Sequence, residues 1–245
     1  MKVIFDADSL IYASCFKNKE ERNDKDDLFI DDVEIAMNKF NKGLDFIIEE
    51  LSEQVEVTGL IVCNGSINNF RNEVSKEYKA NRTIKRPPIL SELHKLVKQK
   101  YNSYWGDGVE TDDVVATLWN KEVIANGIHS VIIASLDKDY KQFPCWFYDY
   151  HYKRRELIKI TEEEALNNFY SQMIVGDSAD NINYCKGFGK AYAKKALKEA
   201  KNEFSFVRKT YKLYKEIHQD KAKEMFNEAK LLLTLKTDAY DAIKK

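Results

Sequence analysis

Acidic residues recur in this chain just after apolar runs. Asp6 and Asp8 follow Val3-Ile4-Phe5, and Asp137 and Asp139 follow Val131-Ile132-Ile133-Ala134. Glu110, Asp112 and Asp113 open an amphipathic segment, and Asp177 and Asp180 flank a turn that begins at Gly176. If the fold gathers these side chains they repel one another, by about 4 kcal/mol for a pair ~4 Å apart at an effective dielectric near 20. Only cations keep such a group ionised, and hard, oxygen-loving ions such as Mg²⁺ or Mn²⁺ suit it. The plainer reading of Asp112 and Asp113 is helix capping. Capping needs one carboxylate, and three within four residues exceed that need.

The elements that must position these groups read as alternating strands and helices. Val3-Ile4-Phe5, Val57 to Cys63, Ser130 to Ser135 and Trp146-Phe147-Tyr148 are short apolar runs of the kind buried on both faces of a parallel sheet. Between them, Val33, Met37, Phe40, Leu44, Ile47, Ile48 and Leu51 recur at helical spacing, as do Val115, Leu118, Trp119 and Val123. Residues 70–100 read as mostly helical, broken at Pro87-Pro88, and helices are expected over 162–174, 190–200 and much of the remainder. The fold class is therefore α/β, with a central, mostly parallel sheet flanked by helices. Open parallel sheets bind ligands beyond the carboxyl ends of their strands, where Asp6, Asn64 and Asp137 all fall.

The 245 residues carry 39 basic and 40 acidic side chains, and a net charge of −1. That balance hides segregation. Residues 20–34 hold eight acidic and two basic residues and read as a solvated loop, whereas residues 71–100 hold nine basic and three acidic, and 186–215 hold ten basic and two acidic. Two basic stretches around an acidic centre point to a polyanionic substrate rather than to solvated helix faces alone. Cys15, Cys63, Cys145 and Cys185 show no CxxC spacing and read as reduced core residues of a cytosolic protein. Asp6 and Asp8 interrupt any signal-peptide core, and no apolar stretch is long enough for a membrane span.

Five segments in order carry a resemblance: Phe5-Asp6-Ala7-Asp8; Tyr78-Lys79-Ala80-Asn81-Arg82; Gly108-Val109-Glu110-Thr111-Asp112-Asp113; Ser135-Leu136-Asp137-Lys138-Asp139; and Gly176-Asp177-Ser178-Ala179-Asp180-Asn181-Ile182 with Gly187-Phe188-Gly189. Together they resemble the flap endonuclease/5′→3′ exonuclease superfamily, most of all compact bacteriophage 5′-nucleases and the 5′-nuclease domain of bacterial DNA polymerase I. The resemblance implies a PIN-like nuclease core over residues 1–175, with a helical arch or gateway at about 66–103, and a helix–three-turn–helix and C-terminal helical region over 176–245. It implies that Asp6, Glu110 and Asp112 hold one Mg²⁺ or Mn²⁺ ion. Asp137, Asp139, Asp177 and Asp180 hold a second, and Asp112 or Asp113 lies between the two. Lys79 and Arg82 then touch the scissile phosphate, with Lys76, Lys85 and Arg86 nearby. Tyr78, Tyr101, Tyr104 and Trp105 are candidates to stack bases, core packing being the other reading for Tyr101 and Tyr104. Gly187, Gly189, Lys190 and Lys194 grip duplex phosphates without reading sequence, with room for a K⁺ ion at the hairpin.

Two positions depart from the family pattern. Asn64 stands where the family usually has an aspartate ligand, which weakens the first metal site unless Asp8 compensates; Asn64→Asp is expected to strengthen metal binding or turnover. Tyr184 stands where the hairpin often has glycine. The expected activity is metal-dependent 5′→3′ exonuclease or flap endonuclease hydrolysis giving 5′-phosphates. Its partner is DNA with a 5′ end, flap or gap, or an RNA–DNA hybrid, and it acts as a cytoplasmic monomer, in the host cytoplasm if phage-encoded. A haloacid-dehalogenase-type phosphatase, with Asp6 as nucleophile and Asp8 as acid, leaves Glu110, Asp112, Asp113 and the basic stretches unexplained. A non-catalytic, structure-specific nucleic-acid-binding module has only Asn64 in its favour.

Overall fold

The computed structural model describes residues 1–23, 27–82 and 85–245, so Asp24, Lys25 and Asp26 of the acidic stretch, and Thr83 and Ile84 of the basic stretch, lie outside the described residues. The chain begins with β1 (Lys2–Asp6), α1 (Asp8–Ser14), α2 (Val33–Ser52) and β2 (Gly59–Cys63), then α3 (Arg71–Val74), α4 (Leu90–Tyr101) and the two-residue β3 (Trp105–Gly106). It continues with α5 (Thr111–Asn126), β4 (Val131–Ser135), β5 (Trp146–Asp149), β6 (Glu156–Lys159) and α6 (Glu162–Val175). Last come α7 (Lys190–Leu197), α8 (Glu203–His218), α9 (Ala222–Leu233) and β7 (Ile243–Lys244).

Among the described residues five strands form one sheet in the order β2-β1-β4-β5-β6, parallel except at its β6 edge. Strand side chains alternate between faces, and each face has its own core. Val3, Phe5, Ile132 and Ala134 pack with Phe40 and Leu44 of α2 and Leu93 and Val97 of α4. Ile4, Ile133 and Phe147 pack with Val114, Val115, Leu118 and Trp119 of α5. Fully burying each of the larger of these side chains contributes roughly 1.5–3 kcal/mol. A third cluster joins α6 to α7, α8 and α9 through Phe169, Met173, Leu197, Phe206, Tyr214 and Phe226. All four cysteines are free and buried, as expected.

The register sets the site. Asp6 at the end of β1 lies opposite Cys63, the residue before Asn64, while Phe5 lies opposite Ala134 of β4, three residues before Asp137. The expected carboxyl-end convergence is thus built into the strand pairing.

The mostly helical reading of residues 70–100 holds after the break at Pro87-Pro88 and is corrected before it. Helix is confined to Arg71–Val74 and Leu90–Tyr101, and residues 76–81 form turns. Pro87 and Pro88 prevent continuation from the N-terminal side of α4, and Lys79 takes a left-handed φ of 56°. The turns dock on the loop after α6: Lys79 N donates to the Asp180 carbonyl at 3.0 Å, Asn81 Nδ2 to that of Ser178 at 2.8 Å, and Asn181 Nδ2 to that of Glu77 at 2.8 Å. α4 itself belongs to the core through Leu93 and Val97.

The segment after α9 forms a strap that the sequence reading did not foresee. Thr117 Oγ1 donates to the Lys236 carbonyl at 3.0 Å, Asn120 Nδ2 to that of Thr237 at 2.9 Å, and β7 pairs antiparallel with β3. α5 is therefore covered on more sides than its single apolar stripe suggests, with Val114, Ala116 and Thr117 buried as well.

Candidate active site

An open cleft of about 560 Å³ lies beyond the carboxyl ends of β1 and β4. Asp112, Asp137, Asp139, Asp177 and Asp180 line it together with Lys79 and Arg82. Asp6 lies beneath, tied to Asp112 through a residue that motif reading missed. The buried Tyr140 hydroxyl lies 3.1 Å from both Asp6 Oδ2 and Asp112 Oδ1, and its single proton serves one carboxylate at a time. Ser135 Oγ donates to Asp6 Oδ2 at 3.0 Å and accepts the Asp137 amide at 3.0 Å, which joins the ends of β1 and β4.

Each acidic position has a local cause. Asp137 caps the short turn of helix at 138–142 by accepting the Asp139 amide at 2.9 Å. Asp177 follows Gly176, whose φ is +78° and where an added Cβ would lie 2.2 Å from the Ile182 carbonyl oxygen. Only glycine passes there, and the turn it permits closes with paired Asp177–Ile182 backbone bonds of 2.8 Å. Asp177 Oδ1 accepts the Ala179 amide at 2.8 Å, and Oδ2 accepts Lys138 Nζ at 2.6 Å. Gln172 Nε2 bridges Asp139 and Asp177 at 2.9 and 3.2 Å.

The titration behaviour divides the cluster. Burial, then Asp8 and Asp137, push the Asp6 carboxyl up to about 7. Burial, then Asp137, push Asp139 up to about 7. Asp112 is also raised, by burial and then by Asp137 and Asp6; burial raises Asp137 too, against the Asp139 amide and Lys138 and with smaller help from Asp180 and Asp177. Glu110 and Asp177 go the other way. Burial alone would raise them, yet Lys79, Tyr78 and Arg71 hold Glu110 below its ordinary range, and Lys138, the Ala179 amide and Gln172 do the same for Asp177.

Asp113 is corrected. Residue 113 points away from the cleft and is fully buried, and its carboxylate accepts Arg71 Nη1 at 2.7 Å, Arg71 Nη2 at 2.8 Å, the Glu110 amide at 3.0 Å and the Lys236 amide at 2.8 Å. The capping reading holds for this residue. Arg71 spends its remaining donors on Glu110 and on the Leu232 and Thr234 carbonyls, so the buried ion pair ties the C-terminal strap to the site.

Tyr78 is corrected too. It is 5% exposed and has no face to stack a base. Its hydroxyl bridges Glu110 Oε2 at 2.7 Å and Asp180 Oδ2 at 3.0 Å. Lys79 Nζ pairs with Glu110, and Arg82 Nη2 with Asp180 at 2.8 Å. Tyr101 packs edge-on against Phe40 and donates to Asn41, and Tyr104 packs against the α5 core, so packing accounts for both. Trp105 lies under Lys98 Nζ at 4.3 Å. Lys76, Lys85, Arg86, Gly187, Gly189, Lys190 and Lys194 all lie at the surface. Tyr184, the departure at the hairpin, turns its hydroxyl to Glu228 at 2.7 Å.

Among the described residues no three His, Cys, Asp or Glu side chains are already drawn round one ion-sized point. The donor set nonetheless suits divalent cations: oxygens throughout, and several carboxyls raised by burial and then by one another's charge. Asn64 adds a second indication. Its Nδ2 donates to the His94 carbonyl at 3.1 Å, while Oδ1 is buried with no hydrogen-bond partner among the described residues. Asp8 Oδ1 accepts the adjacent Gly65 amide at 2.8 Å.

Residues 1–170 match the family of the 5′-3′ exonuclease, N-terminal resolvase-like domain. This chain belongs to that family. The family is one of nucleases, which accords with the expected enzyme class and sets aside the phosphatase. DNA polymerase I of Bacillus subtilis (strain 168) is 28% identical over 264 residues, covering 97% of this chain and 28% of the relative, so the chain spans about a quarter of that protein's length. The bacteriophage T5 D15 protein, crystallised with metal ions, superposes with a TM-score of 0.62 at 17% identity, covering 99% of this chain and 92% of the other. A variant of the T5 D15 flap endonuclease, in a pseudo-enzyme-product complex with DNA and metal ions, gives 0.56 at 16% identity, covering 95% and 98%. At these identities the likeness to the T5 proteins is one of fold, and it matches the central, mostly parallel sheet flanked by helices. Besides Tyr140 and Arg71, motif reading of this exonuclease-family chain missed Ser135, Lys138 and Gln172 as partners of the carboxylates. Ser135 and Lys138 lie inside a segment already marked by its aspartates; Arg71, Tyr140 and Gln172 carry no signal of their own.

Proposed function

We propose that this chain is a metal-dependent 5′→3′ nuclease that hydrolyses phosphodiesters near the 5′ ends of DNA, or of RNA primers on a DNA template, at chain ends, flaps or gaps, and leaves 5′-phosphates. The observation that supports it best is the meeting of Asp112, Asp137, Asp139, Asp177 and Asp180 with Lys79 and Arg82 in one open cleft, with Asp6 below. Asp6, Glu110 and Asp112, with Asn64 Oδ1, would hold one Mg²⁺ or Mn²⁺, and Asp137, Asp139, Asp177 and Asp180 a second. When bound, two such ions supply the positive charge that polarises a phosphate and eases deprotonation of water. The crystallisation of the T5 flap endonuclease variant with DNA and metal ions supports metal dependence and a DNA substrate.

The protein's own cations do the rest. Lys79 exchanges Glu110 for the scissile phosphate, and Arg82 steadies the same group from beside Asp180. The surface residues Lys76, Lys85 and Arg86 guide the 5′ strand through the gateway. Gly187, Gly189, Lys190 and Lys194 hold duplex phosphates from the helix–three-turn–helix, where K⁺ is a fitting additional ion. We assign the protein to the cytoplasm, the host's if phage-encoded; among the described residues no helix is long and apolar enough to cross a membrane.

The test uses 5′-labelled flap, nicked and blunt duplexes with Mg²⁺ and with EDTA. Short labelled products that form with Mg²⁺ and vanish in EDTA support the reading. Binding without cleavage in either condition would establish instead the passive, structure-specific binder that the neutral Asn64 favours.

A further inference from the structure

Arg154 is placed like a phosphate receptor, on an element separate from Lys79 and Arg82. It sits in the turn between β5 and β6 and lines the same cleft, although no motif marks it. The turn is closed around a buried anchor. Asp149, 5% exposed, accepts the His151 amide at 3.1 Å through Oδ1 and Arg154 Nε at 2.5 Å through Oδ2, while the Arg154 amide donates to the His151 carbonyl at 2.7 Å.

The way the guanidinium is held sets it apart from a structural arginine. Arg71 is buried, and protein oxygens engage its Nε, Nη1 and Nη2. Arg154 has a side chain 50% exposed and is fixed through Nε alone, so Nη1 and Nη2 have no hydrogen-bond partner among the described residues. A guanidinium oriented by one buried carboxylate and open at its paired Nη groups is ready for the two oxygens of a phosphate. The carboxylates of the same cleft would repel that ligand, so a built-in cation at the rim has a clear electrostatic purpose.

We propose that Arg154 binds a backbone phosphate of the nucleic-acid strand lying in the cleft, one other than the phosphate at Lys79 and Arg82, and so fixes how that strand crosses the carboxylates. This rests on the nuclease reading. The competing account is that Arg154 only closes the turn over Asp149.

The experiment measures binding of a fluorescein-labelled duplex with a 5′ single-stranded tail, in Ca²⁺ over a salt series, together with single-turnover cleavage in Mg²⁺. Arg154→Ala is expected to raise Kd about tenfold or more, the size of a charge-assisted hydrogen bond. It should also lower the slope of log affinity against log salt by about 1. Arg154→Lys restores the slope and only part of the affinity, since it keeps the charge and loses the fork. An Arg154→Ala protein with unchanged Kd and slope overturns the proposal. If that variant does not fold, Asp149→Asn is compared with Asp149→Asn/Arg154→Ala: a similar loss in the double variant sustains the proposal, and equal Kd values overturn it. A wild type that neither binds nor cuts the tailed duplex overturns the nuclease reading as well; a wild type that cuts it while Arg154→Ala matches it in binding and cutting overturns the Arg154 assignment alone.

Discussion

Consecutive helical residues point about 100° apart, and that angle separates Asp112, which meets the Tyr140 hydroxyl in the cleft, from Asp113, which is fastened to Arg71 beneath the strap. Their variants should differ accordingly. Asp113→Asn leaves a buried guanidinium short of its countercharge and should cost about 3–5 kcal/mol in urea unfolding. Asp112→Asn removes one of several repelling carboxylates, so it should keep or raise metal-free stability while abolishing cleavage. Equal stability losses in the two variants would contradict the division. Residue types made this site half legible: the aspartates announce themselves by recurring after apolar runs, and all but Asp113 face or adjoin the cleft. Which of two adjacent aspartates faces it depends on helix phase and on Arg71, a partner some forty residues away with no pattern of its own. Tyr78 shows the same limit, since an aromatic beside lysines suggests a stacking face, and only the packing shows the ring enclosed and the hydroxyl at work.

At the scale of elements, the parallel strands were readable because strands buried on both faces must be continuously apolar, as β1 and β4 are. β6 is half exposed and β7 is two residues long, and neither leaves such a trace. The strap after α9 is held by polar side chains of α5, which hydrophobic periodicity does not register. The turn that carries Asp177 depends on a glycine. Gly176→Ala combines a left-handed φ with a Cβ 2.2 Å from the Ile182 oxygen, and should cost about 2 kcal/mol or more and slow cleavage by moving Asp177. Gly187→Ala shares the positive φ, at +93°, but meets open space, so its cost should stay near ~1 kcal/mol. Thermal melts of the two variants in parallel check this; a Gly187 variant that suffers as much as Gly176→Ala would contradict it.

The whole molecule is nearly neutral, yet its folded state concentrates negative charge in one place, and that has a pH signature. Asp6 and Asp139 rise from 3.8 to about 7 on folding. A carboxyl raised in the fold binds its proton more tightly there than in the unfolded chain. The stability it contributes is therefore complete below 3.8 and is lost as pH climbs through about 7. Without divalent ions the melting temperature should fall between about pH 5 and about pH 8. The rise produced by Mg²⁺ should be larger at the upper value, where the carboxylates are ionised; an equal rise at both would contradict the charge argument. Calorimetric titration of Mn²⁺ into the wild type and into Asp112→Asn tests most directly whether these carboxylates form a centre for two cations. The expected result is saturable binding of two ions by the wild type and loss of at least one in the variant. Wild-type protein that takes up no Mn²⁺, or a variant that titrates identically, would contradict it.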